Sequence, residues 1–460
     1  MRKFGHKVNT SAVSPNKLYR RNARSSSARK PRRLRAERRD MSEEKAKRRV
    51  PKWVKITAIV LAAIIVLCAA LVGAAAIVWR HEISTLSSFK KLADRDHEHQ
   101  DGAVYRMDVS GGFYFDDFLA QGGAANDGDL INFITNKITR GLIKMNIEQS
   151  EIACSAFTAV TAEGDRIFAR NYDFSQTNTA LVFTDPGNGR YASVSTVDLQ
   201  FLGMDTDKDV EGLINKITCL AAPYAPLDGV NEKGLSCGIF MSYQGQETVA
   251  TDQQTDKDDI TSTTMMRMIL DYCATVDEAV AMIEKYDMHD SAQTSFHYMI
   301  ADATGRSAIL EWTYGTDATD NDGTKRELHV IYNDDDAHIG AREGAADYQW
   351  ITNFILQPDY YGDDDPDADN DAADALKPGY DRYVHIYDQL RATNGEVEDM
   401  QAAMDILASV GRRNWNNDDS NGITVHSVVY NLTKQTVMWV ANEHYGEEAY
   451  TFEFSLRDKF

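Results

Sequence analysis

The feature that most constrains the fold is an apolar run of 24 residues without charge, Ile56 to Trp79. At about 1.5 Å per residue, a helix of this length reaches about 36 Å, enough to cross a bilayer with some tilt. Trp53 and Trp79 stand at its two ends, where aromatic rings prefer the membrane interface. The run predicts a transmembrane helix over residues 53–79, because a buried core helix is rarely apolar for so long.

The charge of the chain changes sign across this run. Residues 1–52 hold 19 Lys and Arg against 4 Asp and Glu, whereas the remaining residues hold 30 against 66. A dense basic cluster before the span favours a cytoplasmic N-terminus and an extracellular body. A cleaved secretory signal is the rival interpretation, but Trp79-Arg80-His81-Glu82 is not a small-residue cleavage site. We therefore expect an uncleaved signal anchor that crosses the cell membrane once.

The basic tail, residues 1–52, is predicted to be disordered and to attract anionic lipids. A nucleic-acid partner is not expected, because no aromatic residue is interleaved with the arginines of residues 20–39. Orientation in the membrane explains the charge more simply.

No metal or cofactor is expected. The chain contains neither a CxxC nor an HExxH motif, and its five cysteines do not imply a disulfide framework. The acidic loop 317–323 would place His329 where an EF-hand needs Glu. The second acidic loop, 362–374, is best interpreted as a solvated segment.

The run from Cys154 to Phe174 predicts two short strands joined by the turn Glu163-Gly164-Asp165. Such a hairpin would bring Arg170 and Asp173 close to Cys154. A thiol beside a cation has a lowered pKa and becomes a usable nucleophile near neutral pH. A buried hairpin with a core cysteine and an exposed ion pair fits the same spacing, so the residues alone leave both interpretations open.

Five further sequence motifs follow Cys154 in order. They are Arg170-Asn171-Tyr172-Asp173, Asp228–Leu235 (DGVNEKGL), His297–Gly305 (HYMIADATG), Ile351-Thr352-Asn353 and Asp381-Arg382-Tyr383. This ordered set resembles the choloylglycine hydrolase family, which comprises bile-salt hydrolases, penicillin V acylases and relatives of the acid amidases and ceramidases. These are N-terminal-nucleophile hydrolases, whose mature chains begin with the nucleophile, here Cys154. The similarity covers residues 154–383.

Many short β-type runs interrupted by helical patterns indicate an α+β layered fold. The resemblance implies more, namely the four-layer αββα sandwich of N-terminal-nucleophile hydrolases, preceded by one transmembrane helix. The expected parts are a basic tail 1–52, a signal anchor 53–79, an extracytoplasmic propiece-like segment 80–153 and a catalytic domain 154–460. Within the third part, Asp129–Met145 predicts an amphipathic helix capped by Asp129.

The resemblance also implies how the site works. The thiol would cleave the Ala153–Cys154 bond, and the freed α-amine, with a pKa near 8, would serve as general base. Arg170 would support the thiolate and Asp173 would orient the α-ammonium group. The site also includes Asn353 as an oxyanion donor, Arg382 in the charged network and Met241 in the oxyanion and substrate pocket.

Two of the matched positions keep a simpler interpretation. Arg382 could be a helix-surface arginine, and Asn231 in the Asn-Glu-Lys-Gly turn could be purely structural. Met241 leaves the substrate class open, because an apolar thioether suits an acyl chain as well as a steroid.

The expected function is therefore a membrane-anchored, autocatalytically processed cysteine amidase that hydrolyses linear C–N amide bonds outside the cell. Its substrates would be small-molecule N-acyl conjugates of the bile-salt, penicillin V or N-acyl amide type. The alternatives are an acyltransferase that uses the same acyl-enzyme, and a non-catalytic ectodomain that acts as a binding module. Residues 53–79 would bind the lipid bilayer, and the propiece could stay associated after cleavage. A homo-oligomer is compatible with the sequence.

Overall fold

The structure is a computed structural model. It describes residues 50–138, 140–141, 153–243, 251–313, 326–335, 348–358, 360–361, 377–413, 415 and 422–457. Its contacts divide the chain into two units, residues 1–69 and 70–460. The basic tail before residue 50 and both acidic loops, 317–323 and 362–374, lie outside the described residues.

The apolar run forms helix α1, Lys52–Val78, which has 27 residues and buries none of them. Within the described part of the chain, it is the helix that is long and apolar enough to cross a membrane. Length and composition carry this statement, and the helix agrees with the predicted span to within one residue at each end.

The other helices and the strands belong to the second unit. The helices are α2 Arg80–Ser88, α3 Phe115–Ala120, α4 Asp127–Lys137, α5 Gly212–Thr218, α6 Ser262–Tyr272, α7 Val276–Ile283, α8 Tyr380–Ala392 and α9 Met400–Ser409. The strands before residue 200 are β1 Lys90–Ala93, β2 Val104–Ser110, β3 Ala153–Thr161, β4 Arg166–Phe174, β5 Thr179–Asp185 and β6 Ser193–Asp198. The strands between residues 200 and 315 are β7 Asp228–Asn231, β8 Ser236–Met241, β9 Asp258–Thr261, β10 Tyr286–His289, β11 Phe296–Ala301 and β12 Ser307–Thr313. The last strands are β13 Glu327–Tyr332, β14 Trp350–Ile351, β15 Glu396–Val397, β16 Ile423–Asn431, β17 Thr436–Ala441 and β18 Thr451–Ser455.

The large sheet has nine strands in the order β1-β2-β5-β6-β7-β8-β11-β12-β13. Strand β2 runs parallel to β5, and the other neighbours in this sheet are antiparallel. The segment that precedes Cys154 therefore contributes two strands to the same sheet as the chain that follows Cys154.

The small sheet has the order β14-β3-β4-β16-β17-β18, and β15 pairs with β3 in addition. The predicted hairpin from Cys154 to Phe174 is confirmed as β3 and β4. Its turn needs Gly164, whose φ of +89° is costly for a residue with a side chain. Since β3 begins at Ala153, the Ala153–Cys154 bond lies inside a hydrogen-bonded strand.

Helices pack against both sheets. Helix α9 contacts β3, β4 and β16 of the small sheet, whereas α6 contacts β7 and β8 of the large sheet. Strand β3 also contacts β8, which brings Cys154 close to the large sheet. The fold is thus a mixed α/β fold in which the thiol lies on a strand between packed elements.

Helix α4 corrects two details of the sequence interpretation. It begins at Asp127 and its N-cap is Asn126, whose side-chain oxygen accepts the Asp129 N–H at 3.0 Å. Asp129 is thus not the N-cap residue, and its main-chain N–H is the group that the Asn126 side chain caps. The helix ends at Lys137, well short of the predicted Met145, and residues 142–150 lie outside the described part.

Candidate active site

Strand β3 places the Cys154 thiol in a fully buried position. Cys154 lies directly opposite Tyr172 on β4, and Ala156 lies opposite Arg170. Because side chains two residues apart on a strand share a face, Arg170 and Tyr172 both point to the side of the thiol. The Arg170 Nη2 donates to Cys154 Sγ at 3.4 Å. The pairing register of β3 and β4 therefore places the Arg170–Asp173 motif beside Cys154.

The Arg170 guanidinium is anchored by the large sheet. Its Nη1 forms a buried ion pair with the Asp228 carboxylate, and its Nη2 also donates to the Ile239 main-chain oxygen at 2.6 Å. Asp228 accepts two more hydrogen bonds, from His426 Nε2 at 2.8 Å and from the Tyr430 hydroxyl at 2.6 Å. Burial alone would raise the pKa of Asp228, but His426 and Arg170 hold that pKa well below its usual range. The aspartate is thus an anion that fixes the cation beside the thiol.

Arg382 is buried, with 3% of its surface exposed, so it is not a surface residue of its helix. Its Nη1 donates to the Asp173 carboxylate at 3.1 Å and to the Cys154 main-chain oxygen at 3.0 Å. Its Nη2 donates to Asn353 Oδ1 at 2.9 Å. One guanidinium therefore connects three of the predicted site residues.

Asn353 holds the nitrogen that cleavage would release. The Cys154 N–H donates to Asn353 Oδ1 at 3.1 Å, and Asn353 Nδ2 donates to the Met241 main-chain oxygen at 2.9 Å. The Asp173 carboxylate instead contacts Arg382 and the Thr424 hydroxyl, the latter at 2.7 Å. The structure thus brings all six predicted residues together, with Asn353 as the group in contact with the Cys154 nitrogen.

The pKa of the thiol differs from the sequence expectation. Burial raises the pKa of Cys154 to about 11, although Arg170 acts to lower it. The predicted lowering is wrong for this uncleaved chain, because the loss of solvation outweighs the nearby cation. At neutral pH the Cys154 thiol is therefore protonated, and a base must remove its proton before it can attack.

Sequence reasoning missed part of this network. Asp228 opens a matched motif, but the motif alone did not indicate that it pairs with Arg170. Three further residues, His426, Tyr430 and Thr424, carry no sequence signal. They lie on the buried strand β16, and the hydrogen bond from Thr424 to Asp173 spans 251 positions of the chain.

Asn231 forms its side-chain hydrogen bonds within the fold: its Nδ2 donates to the Leu270 and Cys273 main-chain oxygens. This supports its structural interpretation.

A narrow apolar cleft with a cavity volume of about 60 Å³ adjoins the site. Arg170 and Tyr172, the neighbours of the thiol, belong to its wall. The apolar part of the wall comprises Leu130, Ile134, Phe201, Leu202, Ala221, Tyr224, Ala225, Leu227, Ile239, Met241 and Phe296.

One group of side chains among the described residues has metal-ligand geometry. Ligand atoms of Asp252, Asp287 and His289 lie within 4.8 Å of one another. Asp287 already accepts the main-chain N–H groups of Gln253 and Thr255, and His289 contacts Asp259 at 2.8 Å. Because these side chains already bond to neighbouring residues, we interpret the group as a cluster that stabilises the surrounding loops.

Asp290 gives the protein a predicted pH dependence of stability. Its carboxylate accepts from Thr251 N at 2.9 Å and from the Ser262 hydroxyl at 3.1 Å, and burial raises its pKa to about 7. A raised folded-state pKa means that stability is present below about pH 4 and is lost as pH rises through 7. We expect the free energy of unfolding to fall by on the order of 4 kcal/mol over that range.

Urea unfolding of the wild type and of Asp290→Asn, measured from pH 4 to 8, tests this expectation. The variant should lose much of the decline in unfolding free energy between pH 4 and 7. Identical pH profiles for the two proteins would show that Asp290 ionises normally.

Residues 154–316 match the sequence model of the linear amide C–N hydrolases, choloylglycine hydrolase family. A bile salt hydrolase/transferase of Clostridium perfringens is 24% identical over 214 residues, which cover 43% of this chain and 55% of that protein. The chain thus spans about half the length of the curated relative it matches.

The solved structures that are similar to this chain include a bile acid hydrolase and a penicillin V acylase. One is a variant of the conjugated bile acid hydrolase from Clostridium perfringens, with a TM-score of 0.43, 15% identity and coverage of 67% of this chain and 93% of that one. The other is the penicillin V acylase from Agrobacterium tumefaciens, with a TM-score of 0.40, 17% identity and coverage of 66% and 87%.

The ordered motifs and the sequence match agree on one family, so the resemblance predicted from the sequence is confirmed. Residues 154–316 of this chain thus match the choloylglycine hydrolase family of linear amide C–N hydrolases.

Proposed function

We propose that the protein is a membrane-anchored cysteine amidase that cleaves itself before Cys154 and hydrolyses linear amides of small N-acyl conjugates. One observation carries the proposal. The Cys154 thiol lies 3.4 Å from Arg170 Nη2 while its main-chain nitrogen lies 3.1 Å from Asn353 Oδ1. A nucleophile and a future α-amine are therefore positioned by separate polar groups on the same residue.

Self-cleavage would begin with loss of the thiol proton to water or another base. Cys154 Sγ attacks the Ala153 carbonyl carbon, the C–N bond breaks, and the Cys154 nitrogen takes up a proton. A thioester now joins Ala153 to Sγ, and water hydrolyses it to an Ala153 carboxylate and a free thiol. Cys154 is then the first residue, and its amine stays in reach of Asn353 Oδ1.

In turnover, the α-amine accepts the thiol proton and Sγ attacks the substrate amide carbonyl. Arg170 stabilises the thiolate, and the Asn353 amide stabilises the oxyanion after it exchanges its contact with the Met241 oxygen. The α-ammonium returns its proton to the leaving amine, which leaves an acyl thioester on Cys154. Water attacks this thioester and releases the acid and the thiol.

Asp173 and Arg382 act by keeping the α-amine environment neutral overall. Burial raises the pKa of Asp173, and the positive charge of Arg382 opposes that rise. We propose that this pair orients the newly formed amine through the shared contact of Arg382 with Asn353 Oδ1.

The boundaries 53–79, 80–153 and 154–460 and the four-layer αββα arrangement belong to this proposal. It is supported by the contacts of α9 with the small sheet, of α6 with the large sheet and of β3 with β8. The unburied apolar helix α1 supports anchoring, with the basic tail in the cytoplasm and the catalytic domain outside the cell. Carbonate washing of membranes and protease protection of tagged full-length protein would test this topology.

A hydrolysis panel tests the activity. We expect the processed protein to release free amine from at least one member of a set of conjugated bile salts, penicillin V and N-acyl amides. Adding a second amine as acceptor distinguishes the alternatives, because acyl transfer would form a new amide. A processed, folded protein that turns over no member and forms no acyl thioester would contradict the proposal.

A further inference from the structure

We infer that helix α4, which precedes the cleavage position, forms a permanent wall of the acyl pocket, and that Leu130 and Ile134 select the acyl chain. This inference rests on the amidase function proposed above. Both side chains are buried, and both line the cleft that adjoins the thiol. The specificity of the enzyme would thus depend on residues outside its mature catalytic chain.

The cleft adjoins the two residues that flank the nucleophile. Arg170 and Tyr172 form part of its wall, and they are also the residues of β4 that flank the Cys154 side chain. An acyl group attached to Sγ therefore has this space as its neighbour. The occupant is consequently the acyl part of the substrate, placed there by its bond to Cys154.

The two tyrosine hydroxyls of the wall are already engaged. The Tyr172 hydroxyl donates to Asp198 Oδ2 at 2.9 Å, and the Tyr224 hydroxyl donates to the Phe113 main-chain oxygen at 2.8 Å. These residues present their rings to the cleft. A hydrocarbon chain suits such a wall, whereas each buried hydroxyl of a polyhydroxylated acyl group would lose its hydrogen bonds to water.

Helix α4 is held in place by contacts that do not involve residues 139–152. Asp127 Oδ2, in its first turn, accepts the Ala292 N–H at 2.7 Å, and Ala292 itself lines the cleft. On the other side, the Phe133 ring packs edge-on against Phe118 with centroids 5.3 Å apart. The wall is thus part of the folded body.

The segment that carries α4 is also bound to the rest of the unit. Strand β2 pairs with β5 along its whole length. The buried Asp101 accepts hydrogen bonds from Arg413 Nη2 and His444 Nε2, each at 2.7 Å. Cleavage at residue 153 removes none of these contacts, so the wall should remain after processing.

The test measures chain-length preference with two substitutions of opposite size. Leu130→Ala enlarges the cleft and Ile134→Phe fills it. Leu119→Ala on α3 is the matched control, because Leu119 lies on the same segment but does not line the cleft. Substrates are N-acyl glycines of increasing chain length, and the readout is the ratio of kcat/KM for long over short chains.

We expect Leu130→Ala to raise this ratio and Ile134→Phe to lower it, each by about tenfold, because one methylene group in an apolar pocket changes discrimination by about that factor. The control should leave the ratio unchanged. Intact-mass analysis of processing at Cys154 shows whether each variant has folded.

A readout independent of catalysis separates this inference from the proposed function. Calorimetric titration of N-acyl glycines into Cys154→Ala, with and without the α4 substitutions, should show the same shift in chain-length preference of Kd. If the chain-length preference of Kd shifts but the wild type hydrolyses no N-acyl glycine, the amidase function is contradicted and the role of α4 in binding is not. Unshifted ratios in both measurements would overturn the role of α4.

Discussion

Replacing Cys154 with alanine is expected to leave the chain uncut and to lower amide hydrolysis by more than about a thousandfold. The reason is that one atom, Sγ, serves both reactions in the proposed mechanism, where it would attack the Ala153 carbonyl in processing and the substrate carbonyl in turnover. Intact-mass and N-terminal analysis of the purified protein measure the first effect. The wild type should yield a chain that begins at Cys154 and a segment that ends at Ala153.

Cys237→Ala is the control for this experiment. Cys237 is also a buried free thiol, and it lies on β8, which pairs with β7, the strand of Asp228. Its Sγ donates to the Met266 main-chain oxygen at 4.0 Å and to none of the described groups of the candidate site, so this variant should still be cut and remain active. A wild type that stays full length and yet hydrolyses amides would show that no free α-amine is needed.

The second large effect is expected from Asp228→Asn. The buried Asp228 carboxylate neutralises Arg170 and accepts from His426 and Tyr430. Loss of one partner of a buried ion pair typically costs about 3–5 kcal/mol, because the remaining charge has no compensation. Urea unfolding should show a loss of this size at pH 7, and processing at Cys154 should slow because Arg170 is no longer fixed.

The direction of the pH dependence follows from the depressed pKa of Asp228. Its stabilising contribution is present above the ordinary aspartate pKa near 4 and is lost as pH falls further. The difference between wild type and Asp228→Asn should therefore shrink in acid. Asp205→Asn removes one partner of an exposed pair with Lys208 and should change stability little at any pH. Equal effects of the two substitutions would contradict the role assigned to Asp228.

The tertiary structure changes the meaning of the segment before Cys154. Sequence patterns distinguished residues 80–153 from the catalytic region because they precede the expected cleavage position. In the fold, this segment supplies β1 and β2 to the large sheet and the α4 wall to the cleft. The proposed cleavage would separate helix α1 from the chain that begins at Cys154, but the pairing of β2 with β5 would still hold the two pieces together.

Local signals explain why the hairpin of Cys154 was predictable. The turn at Gly164 and the alternation along both strands set the register, and the register places Arg170 beside the thiol. The partner of Arg170 was not predictable, because Asp228, His426 and Tyr430 approach it from strands far away along the chain. No local pattern encodes a contact between two sheets.

The sequence by itself determined the match to the family, the six candidate residues that the fold brings together and a helix long and apolar enough to span a membrane. These features are carried by residue type, motif order and an uninterrupted apolar run, all of which are properties of the chain. Only the tertiary structure decided the raised pKa of the thiol, the Asn353 contact with the Cys154 nitrogen and the composition of the apolar cleft. The physical reason is that solvation, charge pairing and cavity shape depend on which distant segments are packed together.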